Sequence, residues 1–330
     1  MVSNKVLVTG GSGFIGIHLV EFLKKNNYEV LNIDVRPPID HRNLDNYRNV
    51  SILNKALLLR ILEDFDPNYI VHLAAITSQD ANSLADFEVN LVGTQNLIDG
   101  ATLMPNLRKF VFTSTQYVSK PGMKISDSLE ELIPYGFYGE SKLIGEKMIS
   151  TQLKNLDWTI IRPTNIWGPW HPVLVEGLWD VILKGRYLHP KKDLAAKAYG
   201  FVLNTVNQIE LVLSLPADLT RRKTFYLADA NIQQEKWVSL FVQKLTGKNL
   251  RKVPNSLLYI LSEIGEQIRN MNIKFPLYRS RYKNLTTSNP VPLEETINIL
   301  GTGQYSLIQG VEFTSEWLIS RLSYDDSLQN

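Results

Sequence analysis

The 330-residue sequence contains no cysteine, which excludes disulfides, thiolate nucleophiles and thiolate-held metals. That absence suits a reducing, cytoplasmic setting. Its five histidines (18, 41, 72, 171 and 189) show no i,i+4 pairing or other ligand spacing, so no metal is expected. Charge of one sign is also lacking. The 35 Lys and Arg against 33 Asp and Glu leave a formal net charge of +2, and no basic stripe stands clear of the acids around it. Neither a nucleic-acid nor an acidic-membrane partner is therefore expected. No apolar run reaches the length of a membrane span, and Met1–Asn4 leads straight into the apolar run Lys5–Thr9, leaving no room for a signal peptide. Internal repeats and low-complexity stretches are missing as well.

What remains is an ordinary globular composition, 44% hydrophobic and 21% charged, in a chain long enough for one large domain and a smaller lobe. In the first half, strand-like runs at Val6–Thr9, Val30–Ile33, Tyr69–Leu73, Phe110–Thr113 and Trp158–Arg162 alternate with helical patterns. Those patterns are Gly13–Asn26, Lys55–Phe65, Ala81–Leu103 and Phe137–Asn155. Strands alternating with helices predict βαβ units, and strands apolar on both faces predict a doubly wound parallel sheet of an α/β protein. After Arg162 the texture changes to Pro163, Gly168, Pro169 and Pro172 with Trp167, Trp170 and Trp179. Thr224–Leu227 reads as one more core strand and Val206–Leu215 as a covering helix, so the second lobe is interleaved. The expected division is 1–165 with 201–229 returning to it, against 166–200 and 230–330. Helices are predicted at Asn255–Arg269, Leu293–Leu300 and Ile308–Arg321, with a frayed tail over Tyr324–Asn330.

The run Val8-Thr9-Gly10-Gly11-Ser12-Gly13-Phe14-Ile15-Gly16 follows a strand and opens a helix. Gly10 permits a tight turn, Gly13 lets backbone approach a pyrophosphate, and Gly16 lets the helix pack close to the strand. The anion would rest on the free N–H groups of the helix start. Asp34, at the end of the second strand, completes a nicotinamide dinucleotide site. Its carboxylate accepts from both ribose hydroxyls and repels a 2′-phosphate, which favours NAD, although Arg36 is the residue type that accommodates such a phosphate.

Tyr138 and Lys142 stand four apart, on one face of a helix. A phenol ionising near pH 10 is a poor base, and a neighbouring ammonium stabilises the phenolate, so the pair is a tunable acid/base. Tyr187 and Lys191 share the spacing, but Pro190 obstructs a helix there. Thr113, Ser114 and Thr115, ending the fourth strand-like run, offer hydroxyls to align a substrate hydroxyl with the tyrosine.

With these motifs the sequence resembles the extended short-chain dehydrogenase/reductases, specifically the NAD-dependent epimerase/dehydratase group that modifies nucleotide sugars. The likeness rests on Thr9–Gly16, His72-Leu73-Ala74-Ala75, Asn90-Leu91-Val92-Gly93-Thr94, Tyr138–Lys142 and Arg162–Pro169, and covers about the first 170 residues. The C-terminal half matches loosely, through Leu300-Gly301 and Gly310–Trp317. The resemblance implies a Rossmann-type fold, with Tyr138 as acid/base, Lys142 on the nicotinamide ribose, and Thr115 or neighbouring Ser114 as the catalytic hydroxyl. It implies cofactor contacts from Gly10, Gly13, Phe14, Ile15, Gly16, Asp34, Ser51, Ile52, Leu73, Ala74, Ala75, Asn90, Thr113, Tyr138, Lys142 and Pro163. Substrate contacts would come from Thr77, Thr115, Gln116, Asn165 and Trp167. It also implies a homodimer through Ala81–Leu103 and Phe137–Asn155.

Departures from the family pattern narrow the chemistry. Gln116 and Tyr117 stand where dehydratases carry an acid pair, and Tyr117 where sugar-acid decarboxylases carry glutamate, so both reactions are disfavoured. Ser51-Ile52 replaces the usual Asp-Ile at the adenine. Ala198-Tyr199-Gly200 occupies the place of a phosphate-clamping arginine, leaving Lys191, Lys192 or Lys197 as point-charge substitutes. The implied function is an NAD-dependent nucleotide-sugar epimerase or related sugar oxidoreductase, acting at C4 by proton transfer to tyrosine and hydride transfer to nicotinamide. The alternatives are an alcohol oxidoreductase like the 3β-hydroxysteroid dehydrogenases, suggested by the missing arginine and the aromatic second lobe with the apolar Val253–Leu261 in addition, and a non-catalytic NAD-binding scaffold.

Overall fold

The computed structural model describes residues 4–329 apart from 79, 80, 127, 193, 194, 272 and 274. The expected start without a leader falls mostly on residues 1–3, outside the described residues.

The strands in chain order are β1 (Lys5–Thr9), β2 (Glu29–Asp34), β3 (Tyr47–Asn49), β4 (Tyr69–His72), β5 (Lys109–Thr113) and β6 (Trp158–Pro163). They are followed by β7 (Asn165–Trp167), β8 (His189–Pro190), β9 (Ala196–Phe201), β10 (Lys223–Leu227), β11 (Ala230–Gln233) and β12 (Lys252–Val253). The longer helices are α1 (Phe14–Lys25), α2 (Lys55–Phe65), α3 (Thr94–Ala101), α4 (Gly136–Gln152) and α5 (Val202–Ser214). The remainder are α6 (Gln234–Thr246), α7 (Asn255–Asn270), α8 (Arg279–Thr286), α9 (Glu294–Leu300) and α10 (Leu307–Gln329).

The chain divides into two compact units: Met1–Thr164 with Leu203–Ala228 and Pro292–Gly303, and Asn165–Val202 with Asp229–Val291 and Gln304–Asn330. Pro292–Gly303, grouped by sequence with the second lobe, folds into the first unit. Leu300 of α9 packs in that unit's core, and the Thr296 hydroxyl donates to the Tyr226 carbonyl at 2.9 Å.

In the first unit seven strands form a parallel sheet in the order β10-β6-β5-β4-β1-β2-β3. Side chains alternate between its faces. Leu7, Ile33, Ile70, Phe110, Phe112 and Ile160 pack with residues of α2, α3 and α4. Val6, Val8, Val71, Val111, Ile161, Phe225 and Leu227 pack with α1 and α5. Two apolar faces on every central strand are the requirement of a sheet covered by helices on both sides. Strand order reverses between β4 and β1, and in such sheets ligands bind beyond the strand ends at the reversal.

The second unit has a mixed three-stranded sheet, β11-β9-β7, and a small parallel pair, β12-β8. Its core is aromatic: Trp167, Phe201, Trp237 and Phe241 pack edge to face or tilted, with centroids 5.0–5.9 Å apart.

Several expected boundaries shift. The helix predicted over Ala81–Leu103 is broken into a 3-10 turn (Leu84–Phe87), a wide π turn (Val89–Gly93) and α3. Asn90 lies within this break. Its side chain bonds both backbone groups of Ile76, and its carbonyl accepts from the Thr94 hydroxyl at 2.6 Å, so the turn opens around it. α4 stops at Gln152, earlier than predicted, because Leu153 turns into the core. α10 continues to Gln329 through the segment expected to fray. The strand expected at 201–203 ends at Phe201 as β9, with the helix α5 taking over from Val202, and β11 and α6 were not anticipated.

Within α4, Glu146 is fully buried and holds Arg162 of β6 bidentately, Nε to Oε1 at 2.8 Å and Nη2 to Oε2 at 2.6 Å. Arg162 Nη1 donates to the Tyr226 hydroxyl at 2.9 Å. Removing one member strands a buried charge, which costs about 3–5 kcal/mol, whereas replacing the pair by apolar side chains is far milder. Chemical denaturation of Glu146→Leu, Arg162→Met and the double variant is expected to show large losses for the single changes and recovery of most of that stability in the double.

Candidate functional site

β1 delivers Thr9 to the switch point, and the backbone turns back at Gly10, whose φ is +72°. A Cβ on Gly10 would stand 2.6 Å from the Ala74 amide nitrogen, and one on Gly16 would collide with the Gly10 carbonyl. Only glycine permits this close stacking of turn, helix and strand. The turn is fixed by Gly10 N–H donating to Ile33 O (2.9 Å) and Gly13 N–H to Gly10 O (3.0 Å). α1 then starts at Phe14 with Gly13 as an extended N-cap, no side-chain cap and no acid in its first turn. Its positive end therefore faces the turn without an internal anion, the arrangement that receives a pyrophosphate.

Asp34 closes the far side. One carboxylate oxygen accepts from Ser12 N–H (3.1 Å) and the other from Arg36 N–H (3.0 Å), which aims the charge at the turn. Ser12 is itself held by Asn32, whose amide donates to its hydroxyl at 3.1 Å. The Ser51 hydroxyl accepts from Leu53 N–H in a local turn, and Ile52 is buried beneath Gly93. Leu73 and Ala74 follow β4, donating to the carbonyl and hydroxyl of Thr9 at 3.0 and 3.1 Å. Phe14, Ile15, Ala75 and Pro163 are half-buried, and Thr77 is exposed.

A chain of buried hydrogen bonds leads from this turn to α4. The Thr94 hydroxyl donates to Asn90 O, so it accepts from His72 Nε2–H at 3.0 Å. His72 Nδ1 then accepts from the Thr9 hydroxyl at 2.7 Å, which fixes the tautomer. Burial, with the Lys142 charge nearby, holds this imidazole well below its usual range, so it is neutral. Asn90 also donates to the Ser141 hydroxyl at 2.9 Å, and Ser141 donates to the Tyr138 carbonyl at 2.8 Å. Thr9, Thr94 and Ser141 carried no role in the sequence reading. Their signal was available only as small hydroxyls beside motif residues.

On α4, Tyr138, Lys142 and Glu146 succeed one another at every fourth position. The Lys142 ammonium donates to Thr113 O at 2.9 Å and lies 5.1 Å from the centre of the Phe112 ring. Burial pulls Lys142 down to about 7, opposed by the Glu146 charge. Burial pushes the Tyr138 phenol up to about 12, opposed by a hydrogen bond with Thr115 and reinforced by Tyr117. Thr115 also accepts from Tyr117 N–H at 3.3 Å, capping the short Gln116–Val118 turn. Thr113 Oγ1, Ser114 Oγ and Gln116 Oε1 are buried and have no hydrogen-bond partner among the described residues. Polar atoms buried this way are costly unless a ligand or water engages them.

The first unit thus brings together Gly10–Gly16, Asp34, Ala74, Asn90, Thr113–Gln116, Tyr138 and Lys142. Asn165 and Trp167 belong to the second unit. There the Asn165 amide donates to Ala198 O at 2.8 Å. Trp167, expected at the substrate, is 1% exposed and forms the aromatic core, which corrects that expectation. Lys197 is likewise no phosphate clamp, because its buried ammonium is held by the carbonyl and side-chain oxygens of Asn284. Tyr187 and Lys191 lie on no helix, as Pro190 required.

Residues 6–185 match the model of the NAD dependent epimerase/dehydratase family. The sterol-4-alpha-carboxylate 3-dehydrogenase (decarboxylating) of Mus musculus is 29% identical over 191 residues, 56% of this chain and 52% of that protein. The GDP-6-deoxy-D-talose 4-dehydrogenase of Aggregatibacter actinomycetemcomitans is 30% identical over 169 residues, 50% of this chain and 53% of that protein. The chain spans about half the length of these curated relatives. In fold it is similar to the crystal structure of UDP-glucose 4-epimerase from Thermotoga maritima with UDP-glucose. The TM-score is 0.75 at 22% identity, covering 96% of this chain and 99% of that one. Motifs, sheet order and more than half the chain's length agree: the protein belongs to the NAD dependent epimerase/dehydratase family.

Proposed function

We propose that this chain is an NAD-dependent oxidoreductase of nucleotide sugars, an epimerase that inverts a sugar hydroxyl at C4. The observation that carries this reading is the placement of Lys142 one helical turn from Tyr138, its ammonium donating to Thr113 O at 2.9 Å beside the unpartnered hydroxyls of Thr113 and Ser114. The residues present suit the cofactor. The crowded Gly10 and Gly16 leave room for a pyrophosphate at α1, and Asp34 keeps lone pairs for ribose hydroxyls while opposing a 2′-phosphate. When bound, NAD supplies a hydride acceptor and a positively charged ring.

Thr115 orients the substrate hydroxyl toward Tyr138 Oη, which takes its proton and returns it after the centre has inverted. Lys142 keeps two N–H bonds beyond the one on Thr113 O, enough for the nicotinamide ribose, and its positive charge favours the phenolate. Gln116 and Tyr117 provide neither acid nor base for removing water, so dehydration is set aside. The same proposal includes a homodimer through 84–101 and 136–152, on which Val92 and Phe137 are exposed, and a cytoplasmic setting.

A second reading, oxidation of a hydrophobic alcohol, is favoured by Lys197. That lysine would be a stand-in for the absent arginine near 198–200, and Asn284 occupies it. The sterol dehydrogenase among the relatives supports the same reading.

Incubation of the protein with NAD and a panel of UDP-, dTDP- and GDP-sugars is expected to convert at least one of them. Failure to convert or bind any sugar, with turnover of a sterol, would establish the second reading instead. Tyr138→Phe is expected to reduce the rate by about 10²–10⁴-fold with NAD affinity nearly intact. Equal background turnover in both proteins would leave a non-catalytic NAD scaffold. Thr115 lowers the phenol pKa, so Thr115→Val is expected to move the rising limb of the pH–rate profile to higher pH. An unmoved limb would remove Thr115 from this role. Asp34→Ala is expected to weaken NAD by about 10- to 100-fold, the worth of a charged hydrogen bond, without weakening NADP in calorimetric titration.

A further inference from the structure

Tyr117 stands two residues beyond Thr115, and its backbone is pressed onto the first turn of α4. A Cβ on Gly139 would stand 2.2 Å from the Tyr117 carbonyl oxygen and 3.5 Å from Tyr117 Cβ. The Tyr117 side chain therefore departs beside the turn that carries Tyr138. Its N–H donates to the Thr115 hydroxyl at 3.3 Å, which ties the residue to the hydroxyl run as well. Ionisation of Tyr117 opposes ionisation of Tyr138, so the two phenols lie within electrostatic reach of each other.

The ring has a rigid support. Tyr135 N–H donates to Tyr117 O at 2.8 Å and Lys120 N–H to Ile133 O at 2.7 Å, which clamps 117–120 onto 133–135. The Tyr117 and Tyr135 rings meet with centroids 5.7 Å apart, tilted by 44°, an ordinary aromatic contact. Ile133, Tyr135 and Phe137 alternate along the second segment and are 51%, 37% and 40% exposed. Neither 116–119 nor 132–138 contains a charged residue. An uncharged wall of rings and aliphatic carbon thus adjoins Tyr138. Tyr117 itself is half-buried, and its fixed surroundings lower the entropy cost of a further contact.

We propose that Tyr117 is the residue through which the site recognises the sugar ring, its aromatic face receiving a C–H face of the pyranose that carries the reacting hydroxyl. This inference rests on the reading of the chain as a nucleotide-sugar oxidoreductase and deepens it. A pyranose carries hydroxyls around its edge and C–H bonds across its faces. The edge needs hydrogen-bonding groups, which the hydroxyls of Thr113, Ser114 and Thr115 offer. A face needs an uncharged surface, and the negative face of an aromatic ring suits the slightly positive hydrogens of C–H bonds. The reacting hydroxyl is bonded to a ring carbon, so a wall beside Tyr138 meets the sugar ring itself, while the nucleotide lies two phosphates away. Both faces of a pyranose carry C–H bonds. The wall therefore accepts the ring before and after it turns, as inversion requires.

The test pairs UDP-glucose, dTDP-glucose and GDP-mannose with free UDP, dTDP and GDP, in calorimetric titration and steady-state rates of the full chain. For a sugar nucleotide that the parent binds and converts, Tyr117→Leu is expected to raise Kd and KM by about 3- to 10-fold, with kcat within about twofold. The affinities for NAD and for the matching free nucleotide are expected to stay at the parent's values, which a general loss of structure would not allow. Tyr117→Phe keeps the ring and is expected to recover most of the lost affinity. Equal weakening of sugar nucleotide and free nucleotide, or an unmoved KM in Tyr117→Leu, would overturn the proposal and leave the nucleotide-sugar reading standing. So would a kcat of Tyr117→Phe as low as that of Tyr138→Phe, since it would make Tyr117 an acid/base. A protein that neither binds nor converts any of the three sugars, while retaining NAD, would overturn the nucleotide-sugar reading and this inference with it.

Discussion

The neutral imidazole of His72 joins the parts of the first unit that have to stay in register. Each ring nitrogen has one partner, Thr9 at the end of β1 and Thr94 at the start of α3, so the ring can take only one tautomer. Thr94 is occupied by the carbonyl of Asn90, and Asn90 by Ile76 and Ser141. Through these bonds the glycine turn after β1, the loop after β4 and the start of α4 are positioned against each other without water between them. A buried polar chain of this kind specifies one arrangement because any slip leaves a donor or acceptor unsatisfied in a low-dielectric core.

The second constraint is electrostatic and runs along α4. Tyr138, Lys142 and Glu146 occupy successive turns, and burial acts on the first two. It keeps the phenol protonated and makes the ammonium easy to discharge, while Glu146 spends its charge on Arg162. In the proposed reaction this matters for the ground state. The unliganded phenol is a weak base, and a positive ligand beside it changes that balance. The orphaned hydroxyls of Thr113 and Ser114 belong to the same economy, because they are polar groups withheld from the protein's own hydrogen-bond network at the rim of the proposed site.

The two units are built on different principles. The first is an α/β layer structure whose function follows from strand ends. The second is held by an aromatic cluster around Trp167 and Trp237, and leaves one helical face apolar and exposed. A tryptophan that looked like a substrate contact is the centre of that cluster. An aromatic next to a glycine-proline turn reads the same in sequence whether it points into a cleft or into a core.

How much was legible in the residues alone follows from the range of the forces involved. The alternation of apolar runs, Gly10, Gly13 and Gly16, Asp34 at a strand end, and the Tyr138–Lys142 spacing are local signals, set by backbone sterics and helical periodicity. They were sufficient for the doubly wound sheet, for the glycine turn between β1 and α1 and for placing Tyr138 and Lys142 one turn apart on α4. The break in the helix at Asn90 was hidden, because it depends on Ile76 and Ser141, which are distant in sequence. Lys197 could not be told from a free cation until Asn284 was seen to hold it, and Pro292–Gly303 could not be assigned to a unit until Leu300 was seen in the sheet's core. Sequence by itself determined the class of fold and the residue types of the site, because those rest on short-range geometry. Tertiary structure alone decided which polar side chains are engaged, which are left for a ligand, and which apolar face is left exposed, because those depend on neighbours that only folding brings together.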